Sequence, residues 1–351
     1  MVISSMDQVH SEWLTAVLRK SGALMTGSVA SFELGTGQGN WSESANLRLT
    51  YAAAARGARP ERLFLKMVDT GASSADEHFG GSEVDYYLRD YVDVPDAPLL
   101  RCYDGAFSAE LERYHLLLDD VSETHVEAAQ KEPTLAYGLA LADGLAILHA
   151  RWWGAAGLAE AGTSMHDAAH IQRFVDIAAP GVEHILGQFA AELKPHWPDL
   201  LREVFANNPA AIMARTGDAN GFSLIHGDVG QHNVLVPRHG ARPLYIIDRQ
   251  PFNWSLTTWL GAYDLAYAMV LDWDVEERRA LEIPVLQRYH ARLVDSAMAD
   301  YSWERLFADY RLCVPMCVYI ATEYCRGGIN RRVDVWLPML QRALQACDDW
   351  L

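Results

Sequence analysis

The stretch of residues 223–250, which reads SLIHGDVGQHNVLVPRHGARPLYIIDRQ, constrains the fold of this chain more than any other part. Its three short apolar runs are residues 223–225, 234–236 and 244–247. Gly, Pro and Asn flank these runs, which predicts short strands with polar side chains at their ends. Asp228 follows the first run, Asn233 comes five residues later, and Asp248 ends the third run, fifteen residues after Asn233. Two carboxylates and one amide are therefore predicted to lie at strand ends.

The spacing of these three polar residues fits phosphoryl transfer. That reaction needs a carboxylate that orients the attacking hydroxyl and accepts its proton, and oxygen ligands for the Mg²⁺ that neutralises the nucleotide phosphates. A loop Asp, an Asn five residues on and a second Asp after a β-hairpin follow one another in this order in kinases. A hairpin that merely carries acidic turn residues is the alternative explanation.

The loop sequence His226-Gly227-Asp228 resembles that of the aminoglycoside phosphotransferase and choline-kinase-like families. These families carry His-Gly-Asp where protein kinases carry His-Arg-Asp. The resemblance implies that Asp228 is the catalytic base, that Asn233 and Asp248 bind Mg²⁺, and that His226 supports the loop.

A glycine-rich turn at residues 35–42 lies between strands predicted at 29–34 and 45–51. Such a turn lets backbone amides approach phosphates, although glycines in a hairpin more often only form the turn. Asn40 stands where the G-x-G-x-x-G pattern has its third glycine. Because a strand and not a helix follows, the turn resembles the loop over ATP in kinases more than a dinucleotide-binding loop.

Lys66 interrupts an apolar strand predicted at residues 61–68. A lysine on the buried side of a strand needs an acid or a phosphate as partner, whereas a surface lysine on a half-exposed edge is the alternative. Glu83 follows on a predicted helix, in a Glu-Val-x-x-Tyr pattern similar to that of the choline-kinase-like families. The resemblance implies a Lys66–Glu83 ion pair that fixes the lysine against the α- and β-phosphates of ATP. Glu77 and Asp85 are rivals for the role of Glu83.

Residues 116–122, LLLDDVS, resemble the segment that joins the two lobes in the same families. The resemblance implies that the adenine edge bonds to the backbone of Asp120, Val121 and Ser122. The side chains of these residues therefore say little about nucleotide affinity.

Two further residues lie in segments that resemble family signatures. His149 stands in the Leu-His-Ala pattern at the end of a predicted long helix, and we expect it to be a packed, hydrogen-bonded core histidine rather than a catalyst. Asp264 stands in an Asp-Leu-Ala pattern, which implies a hydrogen bond to the backbone of the catalytic loop. A carboxylate that only favours the start of a helix is the alternative for Asp264.

Composition limits the classes of function. The formal net charge of −17 argues against nucleic acid as a partner. The charge would attract a cationic substrate, but many proteins are acidic only because acidity keeps them soluble. The five cysteines form no C-x-x-C pair, which predicts a reduced, cytoplasmic protein; Cys313 and Cys317 are predicted to share a helix without forming a metal site. The N-terminus shows no signal-peptide pattern, and no membrane partner is expected because no stretch is apolar enough to span a bilayer.

These features predict an α+β, bilobal protein-kinase-like fold. A small antiparallel sheet with one helix would form the N-lobe, residues 1–121, and a larger, mainly helical C-lobe would comprise residues 122–351. The expected function is ATP-dependent O-phosphotransfer with Mg²⁺ to a hydroxyl of a small molecule, such as an antibiotic, an amino alcohol or a natural product, with a cationic or aromatic acceptor favoured. GTP is the alternative nucleotide, and a nucleotide-binding module without transfer activity is the alternative function.

Two other classes are disfavoured. A protein substrate would require a long activation loop, and the segment between Asp248 and Asp264 is too short for one. A dinucleotide-dependent oxidoreductase would place a helix after the glycine-rich turn, where this sequence predicts a strand.

Overall fold

The computed structural model describes residues 1–38, 42–71, 80–326 and 332–351, and the statements below concern these residues. The tip of the glycine-rich turn, with Asn40, lies outside the described residues. The stretch 72–79, with the rival acid Glu77, also lies outside them.

Contacts within the chain define two compact units. The first consists of Met1–Asp93, Leu99–Val126 and Pro237–Asn253, and the second consists of Val94–Pro98, Glu127–Val236 and Trp254–Leu351. The first unit therefore includes a segment that comes from far along the chain. The predicted lobes, 1–121 and 122–351, divide the chain at a single residue, and this boundary stays a prediction.

The main sheet of the first unit is antiparallel and has five strands. Its spatial order is Val29–Gln38, Ser42–Tyr51, Arg62–Asp69, Arg113–Asp119 and Cys102–Ser108. Leu63, Leu65 and Met67 alternate along the central strand and share one buried core with Trp13 and Leu14. Side chains of one face of a strand recur at every second residue, which is how these three residues reach the same core.

Trp13 and Leu14 belong to the helix Ser11–Lys20, which follows a short 3₁₀ turn at Met6–Gln8. His10 caps this helix, because His10 Nδ1 accepts the backbone N–H of Trp13 at 3.0 Å. A second helix, Ser82–Asp85, continues as a π-helical turn at Tyr86–Asp90.

The second unit is mainly helical, and two of its long helices pack closely. A Cβ on Gly138 of the helix Leu135–Arg151 would lie 2.5 Å from Val285 Cγ2 of the helix Val275–Asp295, so this approach requires glycine. The other helices are Gly154–Glu160, Ala168–Ala178, Pro180–Gln188, Trp197–Arg215, Ala262–Ala266 with a π-helical turn at Tyr267–Leu271, Trp303–Cys313, Met316–Glu323 and Val333–Trp350.

The remaining strands are short. Phe222–Leu224 pairs antiparallel with Thr258–Leu260 within the second unit, and Leu24–Thr26 pairs with Arg56–Gly57 within the first. The others are His125–Glu127, Val234–Pro237 and Tyr245–Ile246. Among the helices of the described chain, none has the length and apolar character to cross a membrane.

Cys313 and Cys317 lie on different helices, so the prediction that they share one helix is wrong. Cys313 ends Trp303–Cys313, whereas Cys317 belongs to Met316–Glu323, and Pro315 lies between the two helices. Proline has no backbone N–H, so Pro315 cannot donate the i→i−4 hydrogen bond that would continue the first helix, and this explains the break although Val314 keeps helical dihedral angles. All five cysteines are free thiols.

Candidate active site

Lys66 lies at the centre of a buried ion-pair cluster in the first unit. Its strand is the third of the five, so it is not the half-exposed edge that would hold a surface lysine. Lys66 Nζ donates to Glu83 Oε1 at 2.9 Å and to Glu83 Oε2 at 2.8 Å, and it also donates to the carboxylate of Asp248. Only 8% of Lys66 and 2% of Glu83 are exposed. The rival acid Asp85 instead pairs with Arg89, 3.0 Å away.

Lys66 stays cationic at neutral pH. Burial alone would lower the pKa of the ammonium, but the charges of Glu83 and Asp248 outweigh burial, so the pKa of Lys66 is raised. A compact positive charge with two acidic partners is therefore fixed on the central strand.

Tyr114 and Gln250 complete the surroundings of Glu83, and the sequence did not identify either residue. The Tyr114 hydroxyl donates to Glu83 Oε2, and the Gln250 amide donates both to Glu83 Oε2, at 3.2 Å, and to the Tyr114 hydroxyl. Burial, together with the Glu83 charge, raises the pKa of Tyr114 well above its usual range, so the phenol remains a donor. Glu83 thus receives bonds from an ammonium, a phenol and an amide.

Asp248 lies in a strained segment that contacts the helix carrying Glu83. Its φ of 67° is left-handed, a conformation that aspartate tolerates better than most residues and that is frequent at functional sites. The next residue, Arg249, is buried and donates to the hydroxyl of Ser82. Asp248, Arg249 and Gln250 therefore contact Lys66, Ser82 and Glu83 in turn, while 38% of the Asp248 side chain remains exposed.

The predicted adenine-binding residues form a turn that the Asp120 side chain stabilises. Asp120 accepts from Arg62 Nε at 3.1 Å, from Asn46 Nδ2 at 3.0 Å and, through Oδ1, from the backbone N–H of Ser122 at 2.9 Å. Burial opposes ionisation, but the bonds from Ser122 and Arg62 prevail and hold the pKa of Asp120 below its usual range. The Asp120 side chain is therefore committed to the protein, and the Val121 carbonyl accepts the N–H groups of residues 124 and 125.

In the second unit, a buried aspartate holds the backbone of the predicted catalytic loop. Asp264 is 0% exposed and accepts the N–H of His226 through Oδ2 and the N–H of Gly227 through Oδ1, both at 2.8 Å. His149 Nε2 lies 3.1 Å from Asp264 Oδ2, and His149 Nδ1 lies 2.8 Å from the hydroxyl of Tyr289. Burial opposes the charge of Asp264, but these bonds hold the pKa of its carboxyl below the usual range.

Asp228 projects from this loop with both carboxylate oxygens hydrogen-bonded. Asn233 Nδ2 donates to Asp228 Oδ2 at 3.0 Å and to the Asp228 carbonyl at 2.9 Å. The Tyr267 hydroxyl donates to Asp228 Oδ1 at 2.6 Å. Asp228 is exposed, and His226, beside it, is buried and accepts the Asp228 N–H through Nδ1 at 3.3 Å. An oriented carboxylate is thus presented on a loop with a fixed backbone.

Asp272 also contacts this loop, and no motif in the sequence predicted this contact. Its Oδ2 accepts the backbone N–H of Gln231 at 2.7 Å. Burial raises the pKa of Asp272 to about 7, and the Gln231 N–H and the charge of Arg342 oppose this shift.

The oxygen donors fit Mg²⁺, which prefers carboxylate and amide oxygens and keeps several sites for phosphate and water. Because the amide nitrogen of Asn233 donates to Asp228, the amide oxygen is the atom that can bind a cation. Asp248 contributes a partly exposed carboxylate. Within the described ranges, no group of three or more His, Cys, Asp and Glu residues could hold a metal ion by itself. Each unit therefore offers one oxygen ligand that suits Mg²⁺, and the assignment of both ligands to one ion stays a prediction.

A histidine stack supports the strand beside the loop and leads to a pH-dependent prediction. His166 Nε2 accepts the Thr257 N–H at 2.9 Å, and the Thr257 carbonyl accepts the N–H of Ile225, one residue before the loop. The His166 ring stacks on His170 with centroids 3.8 Å apart. Burial and then the His170 charge lower the pKa of His166 to about 4, since only the neutral ring can accept the N–H.

We expect His166 to make the protein less stable as the pH falls from 6.5 to 4. The unfolded state binds the proton first, so the stabilisation is complete above pH 6.5 and is lost as the pH falls through the folded pKa, a change of about 3 kcal/mol. Urea unfolding of wild type, His166→Gln and the exposed control His239→Gln at pH 7 and pH 4.5 measures this change. The pH-dependent loss should shrink only in His166→Gln, and an equal loss in all three proteins would contradict the assignment.

The fold is that of small-molecule kinases of known structure. Choline kinase from Cryptosporidium parvum matches over 96% of this chain and 95% of its own, with a TM-score of 0.58 at 8% identity. Spectinomycin phosphotransferase in complex with ADP and spectinomycin matches over 98% and 100%, with a TM-score of 0.53 at 9% identity. A glucosamine kinase in complex with glucosamine, ADP and inorganic phosphate matches over 99% and 100%, with a TM-score of 0.53 at 14% identity.

These structures confirm the predicted α+β kinase-like fold and the structural resemblance to choline kinases and aminoglycoside phosphotransferases. No protein-family model matches the sequence, and no curated protein matches it. At this identity the likeness establishes the fold, and the function must be argued from the site.

Proposed function

We propose that this protein is an ATP-dependent O-phosphotransferase that acts on a hydroxyl of a small molecule. The observation that carries the proposal is the state of Asp228, an exposed carboxylate with each oxygen hydrogen-bonded, on a loop whose backbone Asp264 holds through two N–H bonds. A carboxylate in this state can orient an attacking hydroxyl and accept its proton. His226 and Asp264 support the loop in this proposal and do not touch the substrate.

Lys66 is the proposed contact for the nucleotide phosphates. Its charge is held by Glu83 through two hydrogen bonds, so a polyanion would meet a cation that is already in place on the strand. The backbone of Asp120, Val121 and Ser122 is the proposed site of the adenine edge. ATP is the first choice, and GTP remains an alternative that the experiment below includes.

Asn233 and Asp248 are the proposed ligands of Mg²⁺. When bound, the ion would neutralise charge on the transferring phosphoryl group. The bond from Asn233 Nδ2 to Asp228 orients the amide oxygen and the base together. In the described structure the Asp248 carboxylate bonds to Lys66, so the ion would have to share this carboxylate with the ammonium.

The acceptor is proposed to be a small hydroxyl compound that carries a positive charge. Choline, ethanolamine, glucosamine and spectinomycin, named in the similar structures, all contain a hydroxyl together with an amine or a quaternary ammonium. The net charge of −17 favours cations at long range. An aromatic acceptor is the second choice, and a cytoplasmic location stays a prediction.

The rival function is a nucleotide-binding module without transfer activity. A coupled ADP-release assay with Mg-ATP or Mg-GTP, against a panel of amino alcohols, amino sugars, aminoglycosides and neutral polyols, separates the two functions. Acceptor-dependent ADP release supports the transferase. Nucleotide binding without release on any acceptor supports the silent module, and absence of nucleotide binding would overturn both.

A further inference from the structure

Tyr267 and Asp272 are five residues apart, yet both contact the loop that carries Asp228. The local helix geometry explains how this is possible. The helix Ala262–Ala266 widens into a π-helical turn at Tyr267–Leu271, and Asp272 follows it. In an α-helix, residues five apart lie about 140° apart around the axis, whereas the i→i+5 bonding of a π turn brings them nearer to one side. π turns occur frequently at functional sites.

The two side chains contact the loop on both sides of Gly230. Tyr267, only 8% exposed, bonds to Asp228 Oδ1 at 2.6 Å, and Asp272 Oδ2 accepts the Gln231 N–H at 2.7 Å. A Cβ on Gly230 would lie 3.6 Å from Asp272 Oδ2 and 3.6 Å from the Tyr267 ring. The loop between Asp228 and Gln231 is therefore held at one end through a side chain and at the other through the backbone.

We propose that Tyr267 and Asp272 are positioning residues that together orient the Asp228 carboxylate for phosphoryl transfer. The inference rests on the proposed function and adds two residues to it. Tyr267 fixes Oδ1 while Asn233 fixes Oδ2, so the plane of the carboxylate is set by two donors. A carboxylate oxygen can accept two hydrogen bonds, so these two donors do not by themselves prevent Asp228 from accepting a proton.

The geometry also explains why both contacts are needed. A bond to the side chain alone would orient Asp228 only relative to Tyr267, and the loop backbone could still shift. The Asp272 bond to the Gln231 N–H limits that shift in the residues after Asp228, whereas Asp264 accepts the N–H groups of His226 and Gly227 before it. Displacement of a reacting group by about 1 Å can cost a hundredfold in rate.

The test compares Tyr267→Phe with Tyr319→Phe, a matched control in the same unit. Tyr319 is also a buried tyrosine whose hydroxyl donates a hydrogen bond, to Asn208 Oδ1 at 2.9 Å, and Asn208 lies outside the loop that carries Asp228. We expect Tyr267→Phe to lower kcat about tenfold to a hundredfold, with KM for Mg-ATP changed less than about twofold. Tyr319→Phe should keep the wild-type kcat at a similar cost in thermal stability.

Variants of Asp272 provide a second, independent test of the proposal. Asp272→Ala removes the acceptor for the Gln231 N–H and should lower kcat about tenfold, whereas Asp272→Asn keeps an acceptor oxygen and should restore most of the rate. Wild-type kcat in Tyr267→Phe, or an equal fall in Tyr319→Phe, would overturn the role of Tyr267. Equal activity of the two Asp272 variants would overturn the role of Asp272. A wild type without acceptor-dependent turnover would instead overturn the proposed function, and this inference with it.

Discussion

Replacement of Asp228 by alanine should lower kcat by about 10³-fold or more and leave nucleotide affinity within a fewfold of wild type. A positioned general base contributes 10²–10⁴ to the rate, and Asp228 is the exposed acid whose oxygens are already oriented by Tyr267 and Asn233. The kcat of Asp228→Asn should fall almost as far, because asparagine keeps the shape of the side chain but cannot accept the proton. The measurement is acceptor-dependent ADP release, with nucleotide binding followed separately by calorimetry.

Asp199→Ala is the control for this loss. Asp199 is an exposed acid of the same unit that pairs with Arg202 across a helical turn, so its removal tests for a general effect of charge. Unchanged turnover in Asp228→Ala would exclude Asp228 as the base. Loss of nucleotide binding in Asp228→Asn would instead point to a structural role for this residue.

Replacement of Lys66 by methionine should affect both stability and activity. The change leaves Glu83, 2% exposed, without its cation, and breaking a buried ion pair on one side costs about 3–5 kcal/mol. The loss of a fixed charge at the phosphates should also lower kcat/KM for Mg-ATP by about 10²–10³. Urea unfolding at pH 8 and steady-state kinetics measure the two effects.

The double variant Lys66→Met with Glu83→Gln separates these effects. The neutral amide removes the uncompensated charge, so stability should return toward wild type while activity stays low. Lys20→Met, at a lysine whose side chain is 81% exposed, is the control for loss of a surface charge. Wild-type KM in Lys66→Met would contradict the phosphate role, and wild-type stability would contradict the importance of the buried pair.

Motifs that are local in sequence predicted much of the site. The loop from His226 to Asn233 and the placement of Asp248 follow from short apolar runs bounded by turn residues, which fix the ends of strands. Lys66 stood out because a lysine inside an apolar strand needs a partner. Glu83 could be chosen over Asp85 only by a family pattern, and in the structure Asp85 pairs with Arg89.

Other parts of the candidate site depend on tertiary contacts, which local sequence patterns do not predict. Tyr114 and Gln250 bond to Glu83 from 31 and 167 residues away, and each looks like an ordinary strand or loop residue in the sequence. The π turn that directs Tyr267 toward Asp228 follows an α-helical segment without a sequence signal of its own. Hydrophobic periodicity also could not show that Pro237–Asn253 packs with the first unit.

The most direct test of the central claim is phosphorus NMR of Mg-ATP with the wild-type protein and the best acceptor of the panel. We expect a phosphomonoester resonance of the acceptor that grows in step with ADP. This resonance should be absent when the acceptor is omitted and when Asp228→Asn replaces the wild-type protein. Growth of inorganic phosphate alone, or unchanged ATP with every acceptor despite nucleotide binding, would contradict the central claim.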